Sequence, residues 1–273
     1  MGTPWSVTVY ARDTLHAHRA IERAFARIDS LEQVLSDYRA DSELNRLTGK
    51  PARRWHRSSQ DLWNVLHIAR RLARQSGGAF DPTIGPLTKV WRRAFRRGEF
   101  PDTASIVRAR TRVQYESLRL RRGNRIWFAR DSLQLDLGGV GKGYALDAAG
   151  RVLRDHRLPV FLIDGGGDLL LGDPPPERTG WRVATPVGVV DTSGVAIATS
   201  GSKFRYLDHG GRRYSHLIDP RSGYGIEDPR SVTVFAATGT LADGLASVAS
   251  ILGERDFARR RRRLPRATVR WSE

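Results

Sequence analysis

The sequence predicts an α+β fold in which mixed or antiparallel sheets carry packed helices. Three observations predict it. Short strand-like runs are interspersed with well-separated amphipathic segments, a pattern of segregated strands and helices. The helical segments repeat apolar residues at three- and four-residue spacing. Glycine-rich turns punctuate the chain where strand passes to helix, and no internal repeat is present.

Residues 3–12 read as the first strand, with Trp5, Val7 and Val9 alternating with Ser6, Thr8 and Tyr10. Residues 16–37 follow as a helix whose apolar face is Ile21, Ala24, Phe25, Ile28, Leu31 and Leu35. A second helix spans 59–75 with Leu62, Leu66, Ala69 and Leu72 on one face. Ser58 or Ser59 can cap it, and Gly77-Gly78 ends it. Residues 126–128 and 133–137 read as strands around an Arg130-Asp131 turn. A third helix should follow Gly143 through Leu146, Ala149 and Leu153, and residues 160–163 form a short buried strand. Residues 181–184, 194–199 and 231–236 are further strands, and a last helix begins near Leu241 with Leu245, Val248 and Leu252. Residues 1–255 read as one unit. Residues 256–273 read as a basic tail or a final strand of that unit.

The chain has 273 residues, enough for one large or two small domains with a substantial core. Its 46 basic and 29 acidic side chains leave a formal net charge of +17. Arginine supplies nearly all of that charge, with runs at 92–93, 96–97, 121–122 and 259–263. Such basicity invites a nucleic-acid reading, but the runs fall in no nucleic-acid motif and few aromatics interleave them. No specific nucleic-acid partner is expected; weak attraction to polyanions is. The absence of cysteine excludes disulfides, thiolate metal sites and a cysteine nucleophile. No apolar run approaches the roughly 20 residues of a membrane span. The N-terminus as written has no signal peptide or lipid-modified cysteine.

Four stretches carry chemistry. In Asp136-Leu137-Gly138-Gly139-Val140-Gly141-Lys142-Gly143-Tyr144-Ala145, a strand passes through a glycine-rich turn into a helix. Glycines allow close backbone approach to a phosphate, and a helix N-terminus favours an anion. Lys142 adds charge, and Asp136 can accept from a ribose, a purine or a flavin. The spacing is neither a Walker loop nor a dinucleotide fingerprint, and a plain strand-to-helix turn fits equally well. In Leu241-Ala242-Asp243-Gly244-Leu245-Ala246-Ser247, Asp243 and Ser247 share a helix face and form a hard-cation donor pair. Alone, they read as a first-turn acid and a packing serine.

The third stretch joins Ala198-Thr199-Ser200-Gly201 to Tyr214-Ser215-His216-Leu217-Ile218-Asp219-Pro220. His216 is a base or a turn-bonding histidine. A Ser200–His216–Asp219 triad is disfavoured, because no nucleophile elbow is present. The fourth, Gly78-Ala79-Phe80-Asp81-Pro82 with Gly85-Pro86-Leu87 and Trp91, either lines a planar-ligand pocket or stops a helix. Tyr38, in Ser36-Asp37-Tyr38-Arg39, stacks on a ring or packs in the core.

Together and in this order, these elements closely resemble the ApbE family of FAD:protein FMN transferases. Met1-Gly2-Thr3, the 36–45 segment, Gly166-Gly167-Asp168 and Thr199-Ser200-Gly201 complete the resemblance, which runs to about residue 253. It implies an ApbE-like, T-fold-related architecture. It also implies Mg²⁺-dependent transfer of FMN from FAD to a Thr or Ser hydroxyl of an acceptor flavoprotein, releasing AMP. By motif, Met1, Tyr38, Ala79, Phe80, Asp81, Asp136, Lys142 and Ile218 would contact FAD. Asp243, Ser247 and the Gly139 carbonyl would hold the metal. Lys142 and His216 would serve catalysis, His216 as base or acceptor-positioning residue. Ser247 stands where many relatives have Thr, and lacks the methyl that fixes its rotamer. The resemblance leaves open an FAD pyrophosphatase giving FMN and AMP, or a flavin-binding protein without turnover. The acceptor's identity, the preference for Mg²⁺ over Mn²⁺ and the oligomeric state also stay open. The location expected is cytoplasmic as written, and extracytoplasmic if an export segment precedes Met1.

Overall fold

The computed structural model describes residues 2–131, 133–201 and 206–272. Its elements are β1 (Trp5–Val9), α1 (Thr14–Leu35), α2 (Glu43–Thr48), β2 (Trp55–Arg57), α3 (Gln60–Ser76), α4 (Gly85–Arg97) and α5 (Thr103–Arg110). There follow β3 (Leu118–Arg121), β4 (Arg125–Phe128), α6 (Gly141–Asp155), β5 (Phe161–Gly165), β6 (Leu169–Leu171), β7 (Trp181–Thr185) and β8 (Gly188–Thr192). The chain ends with β9 (Ala196–Ser200), β10 (Tyr206–His209), β11 (Arg212–Ser215), β12 (Val232–Ala236), α7 (Gly239–Arg260) and β13 (Thr268–Trp271).

Six strands form the main sheet in the order β1-β5-β6-β9-β12-β13, and every pairing is antiparallel. Helices α1, α6 and α7 pack together against it. Burial of Leu31, Leu146, Ala149, Phe161, Ile163, Val234, Leu245 and Val248 joins sheet and helices in one core. The periodic apolar faces read from the sequence are those buried faces, because a helix stripe and alternate strand residues must both be removed from water. Asp13 caps α1, Ser59 caps α3 and Thr238 caps α7, each accepting from a first-turn N–H. A smaller cluster of Leu87, Trp91, Ile106, Ala109, Tyr214 and Ile218 ties α4 and α5 to the β10–β11 hairpin.

The structure corrects the sequence reading at three places. Residues 133–137 form no strand ladder. Leu133, Leu135 and Leu137 are buried, and the Asp136 N–H donates to the Pro82 carbonyl at 2.9 Å. Their alternation comes from packing an extended segment against the 79–82 loop. Helix α6 begins at Gly141, ahead of Gly143, so Lys142 lies in its first turn. The Gly85-Pro86 stretch is the start of a four-turn helix, with Pro86 at the first positions, where a missing N–H is harmless. At the other end of the chain, α7 breaks at Gly253 (φ 70°), and residues 259–263 end the helix and form a short 3-10 turn. The chain then returns to the sheet edge as β13.

Candidate active site

A cleft of about 370 Å³ opens between two walls. One wall carries Gly138, Gly139, Lys142, Asp243 and Ser247; the other carries Tyr38 and the α4 residues Thr88, Trp91, Arg92 and Phe95. Ala79, Phe80, Asp81, Thr199–Gly201 and the turn after β11, with His216 and Ile218, complete the lining. Every residue singled out from the sequence for this site lines the cleft except Met1, which lies outside the described residues.

The first wall is set by the contact of α6 with α7. A β-carbon at Gly143 would fall 2.1 Å from the Gly239 carbonyl oxygen, so only glycine lets the two helix starts touch backbone to backbone. Asp147 of α6 fixes the contact by accepting from the Gly239 and Thr240 N–H groups at 2.6 and 2.9 Å. Asp243, one turn into α7, accepts from the Gly143 N–H at 3.0 Å. The residue preceding α6, Val140, has no capping side chain, and it is the Asp243 carboxylate from α7 that takes a first-turn N–H there. That end sets the positive pole of the helix dipole beside the cleft residues Gly139 and Lys142.

Lys142 pairs with Asp168, and its Nζ lies 3.9 Å from Asp243 Oδ1. Asp168 is buried, and its other oxygen accepts from the Thr199 N–H at 3.2 Å. Burial alone would push the lysine pKa down. The carboxylates of Asp243 and Asp168 override it and hold Lys142 above its ordinary value, so the side chain stays a cation at neutral pH. Burial pushes the Asp243 carboxyl up to about 6, against the pull of Lys142. The Ser247 hydroxyl has no hydrogen-bond partner among the described residues, and a β-carbon on Gly139 would sit 2.8 Å from it. The Gly139 backbone thus runs beside Ser247. No group of three or more acidic or histidine side chains poised for a metal occurs among the described residues.

The second wall is held by Arg92. Its guanidinium binds Asp37, donates to Asp136 at 3.0 Å and lies 4.1 Å from the centre of the Tyr38 ring. The other Asp136 oxygen accepts from the Gly138 N–H at 2.8 Å. Tyr38 is 75% exposed, so it does not pack in the core. Asp81 faces the cleft, but both its oxygens are engaged. They accept from the Thr83 N–H and hydroxyl, each at 2.7 Å, and from the Tyr115 N–H at 2.9 Å. Burial raises its pKa despite those bonds. Its carboxylate ties the turn at Thr83 to Tyr115. His216 follows β11 and is exposed at the lining, and Ile218 is buried in the smaller cluster.

Sequence reasoning assigned no role to Arg92, Asp37 or Asp168. The Gly166-Gly167-Asp168 turn after a buried strand was a usable signal for Asp168. Nothing local marks Arg92 among so many arginines.

Comparison with known proteins is decisive on kinship. The sequence profile of the ApbE family matches residues 1–269. The chain belongs to the ApbE family. A relative from Treponema pallidum, named FAD:protein FMN transferase, is 32% identical over 93% of this chain and 77% of its own length. One of the same name from Escherichia coli K12 is 30% identical over 93% and 76%. The Pseudomonas stutzeri flavinyl transferase ApbE superposes with a TM-score of 0.87 at 27% identity, covering all of this chain and 92% of that one. The flavin transferase ApbE of Vibrio cholerae superposes with a TM-score of 0.85 at 26% identity, over 98% and 89%. This ApbE-family chain thus has the α+β architecture of the solved flavin transferases. No helix among its described residues is long and apolar enough to cross a membrane.

Proposed function

We propose that this chain transfers the FMN half of FAD onto a Thr or Ser hydroxyl of an acceptor protein, releasing AMP. The observation that carries the reading is a convergence in one cleft. A protonated lysine in the first turn of a helix and an all-oxygen donor set face an exposed aromatic ring and a buried carboxylate. Phosphoryl-type transfers of this kind rest on positioning and charge stabilisation.

Asp243, Ser247 and the Gly139 carbonyl would hold Mg²⁺. The donors are oxygens only, as a hard cation requires, and the Ser247 hydroxyl is unspent. Bound there, the ion would neutralise charge on the pyrophosphate oxygens. Lys142 is excluded as a base by its charge; it would bind the pyrophosphate and stabilise negative charge in the transition state. Asp168 would keep its amine aimed along the cleft. Tyr38, Phe80 and Asp136 would hold a ring end of FAD, with Ile218 and the Ala79-Phe80-Asp81 loop forming the pocket surface. His216 would receive the acceptor proton as the hydroxyl oxygen bonds to the FMN phosphorus and AMP departs.

Purified protein incubated with FAD and Mg²⁺, with and without a Thr-containing acceptor peptide, tests the reading by mass spectrometry. An acceptor gaining the mass of an FMN residue together with AMP release is the expected result. AMP with free FMN, independent of peptide, would identify a pyrophosphatase instead. In His216→Gln, transfer should fall about 100-fold with FAD affinity preserved; unchanged transfer would remove His216 from the chemistry.

A further inference from the structure

We propose that Arg92 is a positioning residue that assembles the ring-binding end of the cleft by clamping Asp37, Asp136 and Tyr38 into one unit. The inference deepens the flavin-transfer reading and rests on it for the identity of the ligand.

Three separate segments meet at this one guanidinium. Asp37 and Tyr38 belong to the loop between α1 and α2. Arg92 belongs to α4, and Asp136 opens the glycine-rich turn that leads into α6. The loop is itself built. Ser36 Oγ accepts from the Tyr38 and Arg39 N–H groups, each at 3.3 Å. The Asn45 side-chain amide donates to the Asp37 and Arg39 carbonyls at 3.1 and 2.7 Å. Within this frame, Arg92 links the loop's Asp37 and Tyr38 side chains to α4 and to Asp136.

The arrangement suits a planar heteroaromatic ligand. Arg92 covers one face of the Tyr38 ring and leaves the rest in solvent. Tyr38 is more exposed than any other large hydrophobic side chain among the described residues. A fixed aromatic surface of that kind at a cleft wall gains most when a second ring covers it. Beside it, Arg92 offers N–H donors and Asp136 an acceptor, a pairing that matches a ring edge carrying an acceptor next to a donor. Both the flavin dione and the adenine amidine edge have that chemistry. The guanidinium also separates two carboxylates that would otherwise face each other. Burial, then the neighbouring Asp136, raises the Asp37 pKa, and Arg92 opposes that rise. Lysine could not substitute. A point charge neither bridges two carboxylates through a fork nor stacks flat on a ring.

The test measures dissociation constants of the full chain for FAD, FMN and AMP by fluorescence titration, with KM and kcat for FAD. The variants are Arg92→Gln, Arg92→Lys, Tyr38→Ala and the Arg92→Gln/Tyr38→Ala pair. The expected result for Arg92→Gln is an FAD dissociation constant about tenfold higher, with kcat at saturating FAD close to wild type. Arg92→Lys should recover only part of the affinity. The double variant should be little worse than Arg92→Gln alone, because the two residues act as one unit. Weakening confined to FMN places the flavin at this corner, and weakening confined to AMP places the adenine there. Full affinity for all three ligands in Arg92→Gln would overturn the proposal. Should that variant fail to fold by circular dichroism, Arg92→Lys with wild-type affinities overturns it equally. Wild-type protein that binds FAD but never releases AMP would sink the transferase reading and leave the clamp standing.

Discussion

The two walls of the cleft are built differently. The α6–α7 wall stands on the main core, where two helix starts meet at glycines and each carboxylate has a fixed backbone or side-chain partner. The α4 wall stands on the smaller cluster and is held by one arginine reaching across three segments. The first wall has no room for a methyl where Gly143 meets Gly239; the second tolerates solvent, with Tyr38 exposed and Arg92 partly so. Rigid placement belongs where a bond is broken, and adjustable contact suffices where a ring is gripped.

Four measurements would break or sharpen this contrast. The largest effect is expected for Asp243→Ala: turnover, followed as AMP release, should drop about 1,000-fold while FAD binding changes far less. Retained turnover would remove the metal assignment. Next, Gly143→Ala drives a methyl into the Gly239 backbone and should destabilise the fold by about 1–3 kcal/mol in thermal or urea unfolding. An unchanged melting temperature would mean the helix starts can part freely.

Third comes pH. A carboxyl whose folded pKa is raised favours the protonated folded state, so its stabilising contribution is full only below the ordinary carboxylate value of about 4 and is lost as pH rises from there through about 6. Cation binding at Asp243 must displace that proton. Apparent Mg²⁺ affinity should therefore fall by up to about tenfold per unit as pH drops below 6, and Asp243→Asn should abolish the slope. Titrations of the cation between pH 5 and 8 decide it. The smallest change is expected on the softer wall: Tyr38→Phe keeps the ring and should alter FAD affinity less than about threefold. A loss as large as that of Tyr38→Ala would assign the work to the hydroxyl.

The same contrast explains what could be read from the sequence. The glycine-rich turn with Lys142 and the Asp243–Ser247 spacing are local patterns, and they mark the rigid wall because a close backbone approach demands glycine at named positions. Their convergence needed only that two helices pack. Arg92 carries no local mark; its meaning comes from Asp37 and Asp136, distant in sequence and near in space. Helix α4 is hard to see in the sequence because its Gly-Pro start looks like the end of the preceding helix. Leu87, Trp91 and Ala94 nevertheless recur at helical spacing, and Gly98 stops the helix in a left-handed turn. The 133–137 segment misled in the opposite direction, since alternating leucines signal a two-sided environment and not necessarily a strand partner.

The strand order has a consequence for how the molecule comes into being. Val7 waits for Ile163 before the first edge can pair, and β12 gains its outer neighbour only when Thr268–Trp271 is made. Contacts so distant along the chain are the slow ones to form. During synthesis, Lys142 and Asp168 emerge well before Asp243, so the ion pair can assemble while the wall still lacks its α7 half. The wall is complete only once Asp243 and Ser247 have followed, and the same helix then covers the apolar faces that α6, β9 and β12 have left open.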